Sequence, residues 1–137
     1  MTATPKKHIL VAVGMVLNGD QVLIAKRPDH LHQGGLWEFP GGKVEQDESV
    51  PVALARELKE ELDLDTDPES MIALTRLDFD YGDKAVSLDT WIVPDHKGKP
   101  WGREGQEVKW VSINDLNNYN FPAANTDLIK ALKAYLS

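Results

Sequence analysis

From Ser49 to Leu62 the apolar residues recur at helical spacing: Ala53, Leu54, Leu58 and Leu62 share one face, while the segments on either side of this stretch alternate with period two. Asp47 or Ser49 can cap the start of such a helix, and Pro51 is tolerable only in its first turn. Before it, His8 to Leu17 and Gln21 to Arg27 are rich in Val, Ile and Leu and are joined by Asn18-Gly19-Asp20, so they read as two antiparallel strands around a tight hairpin. Pro28 to Gly35 reads as a loop leading to the short apolar-aromatic piece Leu36 to Phe39, and Pro40-Gly41-Gly42 is expected to break the chain sharply. After a loop ending near Pro68, Ile72 to Asp80 and Ala85 to Val93 read as strands around the turn Tyr81 to Lys84, followed by a polar loop, Pro94 to Gly105. Glu107 to Ile113 is a further strand, and Thr126 to Leu136 closes the chain as an amphipathic helix with Leu128, Ile129, Leu132 and Leu136 on one face. This order of elements is α+β.

At 137 residues there is room for one hydrophobic core, so residues 1–137 are expected to form a single domain. The absence of cysteine removes disulfides, thiolate metal sites and cysteine nucleophiles, and fits a reducing compartment. The stretch Ile9 to Leu17 is too short to span a bilayer and no small-residue cleavage site follows it. The expectation is therefore a cytoplasmic monomer with no membrane contact. A net charge of −7 argues against a nucleic acid polymer as partner, because that affinity comes from Lys and Arg neutralising phosphates. An acidic protein can still take a phosphorylated small molecule when divalent cations stand between the two sets of negative charges.

Clustered carboxylates therefore matter. Glu57, Glu60 and Glu61 stand at i, i+3 and i+4, on one helical face within about one turn, where like charges repel. Two readings follow. One is a solvated acidic face paired with Arg56 and Lys59. The other is a hard-cation site, since oxygen ligands alone suit Mg2+ or Mn2+ much better than zinc. The alternating acidic loop of an EF-hand is absent.

The wider spacing decides between them. Gly42 is followed after five residues by Glu48, and after seven more by Arg56-Glu57-Leu58-Lys59-Glu60-Glu61-Leu62-Asp63-Leu64. This closely resembles the box of the Nudix hydrolase family, G-x5-E-x7-R-E-U-x-E-E-x-G-U with U a bulky aliphatic. A chance match to its six identities anywhere in the chain is on the order of one in a hundred thousand, which sets the acidic-face reading aside. Asp63 stands where the family usually has glycine; the position ends the helix and favours left-handed backbone, which Asp tolerates better than most residues. The resemblance implies a Nudix fold, a mixed β-sheet packed between helices in an α/β/α sandwich. It also implies that Glu57, Glu60 and Glu61 hold magnesium, or manganese, with the backbone carbonyl of Gly41, while Glu48 and Arg56 brace the loop against the helix. The implied reaction converts a nucleoside triphosphate to a monophosphate and pyrophosphate. Glu57 or Glu104 would take the proton from water, with Glu57 favoured; Glu104 is otherwise an additional ligand or an ordinary loop glutamate.

Beyond the box, Leu36 to Lys43, Pro100 to Gln106 and Phe121 to Asn125 are similar, in the same order, to the MutT-type branch that sanitises oxidised guanine nucleotides. The resemblance points to 8-oxo-dGTP. Asn125 would read the altered guanine edge, since an amide offers a donor and an acceptor side by side; its plainer role is to cap the last helix. Phe39 would line the base pocket. Arg27 and Lys43 are candidates for phosphate or sugar contacts, and Tyr81 and Lys84 for covering the base from their hairpin. His30, His32 and Trp37 are assigned to a mobile loop and nearby packing, with no proton-transfer role. The alternatives are a broader pyrimidine or modified-nucleotide pyrophosphatase of the same family, a catalytically silent ligand-sensing Nudix domain, and an acidic interaction module.

Overall fold

The computed structural model describes residues 6–31 and 34–137. Of the residues singled out above, His32 lies outside them, as does the start of the chain through Pro5. Among the described residues seven strands and two helices form, in the expected order apart from β4: β1 (Lys7–Asn18), β2 (Gln21–Lys26), β3 (Trp37–Glu38), β4 (Gly41–Lys43), α1 (Val50–Leu62), β5 (Ile72–Asp80), β6 (Lys84–Val93), β7 (Val108–Ser112) and α2 (Asn125–Leu136). Short stretches of tighter helix at Pro68–Ser70 and Ile113–Asn118 complete the set.

β1 organises the sheet. Its end forms the expected hairpin with β2, pairing Leu17 with Val22 around Gly19, but the two strands then separate. The earlier part of β1 instead lies parallel to β6 from Lys7 through Val16, and antiparallel to β4 at residues 11–13. β2 continues between β3 and β7. The glycine pair expected to break the chain thus forms a strand. Gly41 and Gly42 can lie flat against β1 because they carry no side chain: a Cβ on Gly41 would run into the carbonyl oxygen of Ala12.

Alternation along β1 sends its side chains to two cores. Ala12 and Val16 face α1, whose Ala53, Leu54, Leu58 and Leu62 are fully buried with them and with Leu23. Val13 and Met15 face the opposite side, with Val22, Ile24 and the Leu128, Ile129 and Leu132 stripe of α2. The helices therefore flank a mixed sheet, the expected α/β/α arrangement. Each fully buried leucine of α1 contributes about 2 kcal/mol.

α1 begins and ends as its sequence predicts. Ser49 is the cap, its hydroxyl accepting from the Val52 amide at 3.4 Å, and Pro51 sits in the first turn. Asp63 ends the helix in the left-handed region (φ 58°), with its N–H donating to the Leu58 and Lys59 carbonyls.

Candidate active site

The site lies where β4 passes α1. Gly42 leaves space for the carboxylate of Glu57: a Cβ there would stand 2.6 and 2.7 Å from its two oxygens. Arg56 is the brace expected beside it. Its Nε and Nη2 donate to the two Glu48 oxygens at 2.7 and 2.8 Å, and Nη2 also reaches the Lys43 carbonyl at 3.1 Å, tying α1 to β4 and to the loop between them. Such a fork is directional and strong. It holds the Glu48 carboxyl down to about 2, and Glu48 and Glu57 together raise the pKa of Arg56.

The three helical glutamates are treated unequally. Arg56 donates to Glu57 at 2.9 Å and to Glu60 at 3.4 Å. Lys59, the other cation of the acidic-face reading, pairs instead with Asp63 and Asp65 at 3.2 and 3.1 Å. Glu61 turns inward among other carboxylates. Burial, then the neighbouring Glu57, Glu104 and Glu38, push it up to about 8. Glu60 and Glu61 also occupy the last turn of α1, whose end carries partial negative charge. Among the described residues no three Asp, Glu or His side chains are drawn together closely enough to hold a metal ion. The donor chemistry nevertheless fits a hard divalent cation, which would offset the burial and the neighbouring carboxylates that raise the Glu61 pKa.

Glu104 reaches this place through the loop that closes the C-terminal end of α1. The amides of Trp101 and Arg103 donate to the Leu62 and Glu61 carbonyls at 3.2 and 3.1 Å, and the Arg103 guanidinium donates to the Lys59 carbonyl at 3.1 Å. Carbonyls that a helix end leaves without intrahelical partners are thereby satisfied.

Two clefts meet at Glu61. One, of about 380 Å³, is lined by Arg27, Phe39, Gly41, Lys43, Tyr81 and Asn125 as well as Glu38, Leu88 and Leu128. The second, of about 290 Å³, shares Arg27, Glu38 and Glu61 and adds His30, Glu104 and Gln106. The residues proposed for phosphate, sugar and base contacts are thus brought together, with one exception. Lys84 does not line either cleft; its ammonium lies 5.9 Å from the Tyr81 ring, held there by the hairpin turn. Phe39 is both core and wall, 5% exposed and stacked on Phe121 at 5.2 Å. Trp37 packs edge-on against Tyr119 at 5.4 Å.

Asn125 is not the cap of α2. It is the first helical residue, Ala124 precedes it without a side-chain cap, and while its backbone N–H donates to the Pro122 carbonyl at 2.9 Å, its side-chain amide has no hydrogen-bond partner among the described residues. Glu38 was not singled out by sequence. Burial raises its pKa while Arg27, 3.7 Å away, opposes the rise. The only sequence signal for it is the alternation of β3, and two residues are too few to show a period.

This geometry, a glycine strand laid against a helix of spaced glutamates, defines a class that the comparisons with known proteins identify. The sequence profile of the NUDIX domain matches residues 12–131. The chain belongs to the Nudix hydrolase family. Among its relatives, an 8-oxo-dGTP diphosphatase of Escherichia coli is 36% identical over 93% of this chain and 98% of its own length. A CTP pyrophosphohydrolase of the same organism is 35% identical, over 93% of each chain. A solved MutT structure, from work on Aliivibrio salmonicida and Vibrio cholerae, superposes with a TM-score of 0.83 at 43% identity, covering 94% of this chain and 99% of that one.

Proposed function

We propose that this enzyme hydrolyses 8-oxo-dGTP to 8-oxo-dGMP and pyrophosphate, with magnesium as its cation and manganese able to replace it. The observation that carries the choice of base is Asn125: a side-chain amide with no hydrogen-bond partner among the described residues, in a cleft walled by Phe39 and Leu128 that opens onto Glu61. In such a pocket an amide favours a base edge that supplies a donor beside an acceptor, because an edge with two acceptors, such as N7 and O6 of unmodified guanine, leaves one of its polar atoms unpaired. The E. coli 8-oxo-dGTP diphosphatase among the relatives supports the same reading.

Glu57, Glu60, Glu61, Glu104 and the Gly41 carbonyl are the proposed cation ligands. The cation, when bound, offsets the charge of the triphosphate and polarises the attacking water. Arg56 and Glu48 keep Glu57 in place against Gly42. Arg27 and Lys43, in the cleft lining, take the phosphate and sugar oxygens. Water attacks phosphorus in line, its oxygen forming the new P–O bond as the bond to the anhydride oxygen between the α- and β-phosphates breaks. Glu57 accepts the proton that the water gives up, and the electron pair leaves on the bridging oxygen.

A pyrophosphate-release screen over ordinary and oxidised nucleotides with magnesium tests the reading. 8-oxo-dGTP should give the highest kcat/KM, Glu57→Gln should abolish turnover, and Asn125→Ala should erase the preference over dGTP. Turnover of no nucleotide would end the proposal. The near-equal similarity to a CTP pyrophosphohydrolase favours a second reading, in which CTP heads the screen and Asn125→Ala leaves the ranking unchanged.

A further inference from the structure

We infer that Gln106 is a positioning residue that fixes Glu104 against the last turn of α1, and so sets the distance between Glu104 and Glu61. This rests on the reading above that Glu104 belongs to the hydrolytic site.

The two ends of one amide make the link. Gln106 Nε2 donates to the Glu61 carbonyl at 3.2 Å, while Oε1 accepts from the Glu104 N–H at 3.0 Å. One partner is an acceptor and the other a donor, so only this orientation of the amide satisfies both. Glu61 and Glu104 are thereby tied to the same side chain through their own backbones. The Glu61 carbonyl also accepts from the Arg103 N–H at 3.1 Å, so this one carbonyl holds the loop from both sides of Glu104.

The intervening backbone is built for this closure. Gly105 lies at φ 84°, and its amide donates to the Gly102 carbonyl at 2.9 Å. Gly102 packs so closely on the Gln106 carbonyl that any Cβ would collide with it. A tight turn of this kind brings residue 106 back toward residue 104, but its exposed tip has no core side chain to hold it. Glu104 is exposed, and its backbone amide is bonded through Gln106. The turn therefore supplies shape and Gln106 supplies the anchor. Without it, Glu104 would remain nearby but over a wider range of positions, which costs turnover and not affinity for the distant base.

The test uses the intact chain in four forms: wild type, Glu104→Gln, Gln106→Met and the double variant. Methionine matches the length of glutamine without either hydrogen bond. Expected results are a fall in kcat of roughly tenfold for Gln106→Met with KM for 8-oxo-dGTP within about twofold, and less than about twofold further loss when it is added to Glu104→Gln. Hydrogen exchange of the Glu104 amide in metal-free protein should speed up in Gln106→Met. If Gln106→Met does not fold, Gln106→Leu carries the same comparisons. An equal loss of kcat in both backgrounds, a rise in KM alone, or unchanged exchange overturns the positioning role while the site reading stands. If Glu104→Gln leaves kcat at the wild-type value, the placement of Glu104 in the site fails first, and the role of Gln106 with it.

Discussion

Gly42→Ala separates the function of this site from its stability. The Cβ it adds would stand 2.6 and 2.7 Å from the Glu57 carboxylate oxygens, and the backbone of β4 is held on its other side by pairing with β1. The carboxylate carbon would be nearer still, so restoring an ordinary contact of about 3.5 Å requires the carboxylate to retreat by about 1.1 Å. Gly42 is not among the residues with positive φ, so alanine brings no backbone strain. Glu57 yields at the end of a flexible side chain, leaving the core leucines beneath it in place. Folding stability should therefore change by less than about 1 kcal/mol. A displacement near 1 Å of a group that must meet the reacting atoms costs roughly a hundredfold in rate, about 2.7 kcal/mol of barrier. The check pairs a thermal melt with steady-state pyrophosphate release in magnesium. A variant that melts with the wild type and turns over at a small fraction of its rate fits this account. Wild-type kcat in Gly42→Ala would refute it, because Glu57 would then tolerate being moved.

Three further outcomes are expected. Glu61 binds its proton more tightly in the folded state, about 8 against an ordinary 4.5, so the metal-free protein should lose stability as pH rises from about 5 to 8. Glu61→Gln should flatten that slope in melts recorded with a chelator present. Glu48 has the opposite sign: its pKa is depressed to about 2, so its stabilisation is present above about 4.5 and lost as pH falls toward 2, and acid melts of Glu48→Gln should show a shallower decline across that window. Leu58→Ala, at a fully buried position between α1 and β1, should cost about 2–5 kcal/mol in denaturant unfolding; a cost under about 1 kcal/mol would contradict the packing of α1 against the sheet.

How far the sequence spoke for itself depended on whether a signal was periodic, local or tertiary. α1 was fully legible because its buried leucines, its Ser49 cap and its left-handed Asp63 are all set by residues within a turn or two of one another. The hairpin at Gly19 was legible for the same reason, but not the parting of β1 from β2, which follows from β4 taking that edge of β1 at residues 11–13 while β6 fills the other. The misreading of Pro40-Gly41-Gly42 has the same source. Glycines that look like a break in one dimension are what allows a strand to lie close against Ala12 and Glu57 in three. Within the site, the i, i+3, i+4 spacing placed Glu57, Glu60 and Glu61 on one face but could not say that Arg56 would engage two of them and leave Glu61 among carboxylates, because that depends on Glu104 and Glu38 arriving from a loop and a two-residue strand. Gln106 was hidden most completely. Its two partners lie two residues behind it and on a helix 45 residues back, and nothing in composition or period connects a glutamine in a polar loop to the carbonyl of Glu61.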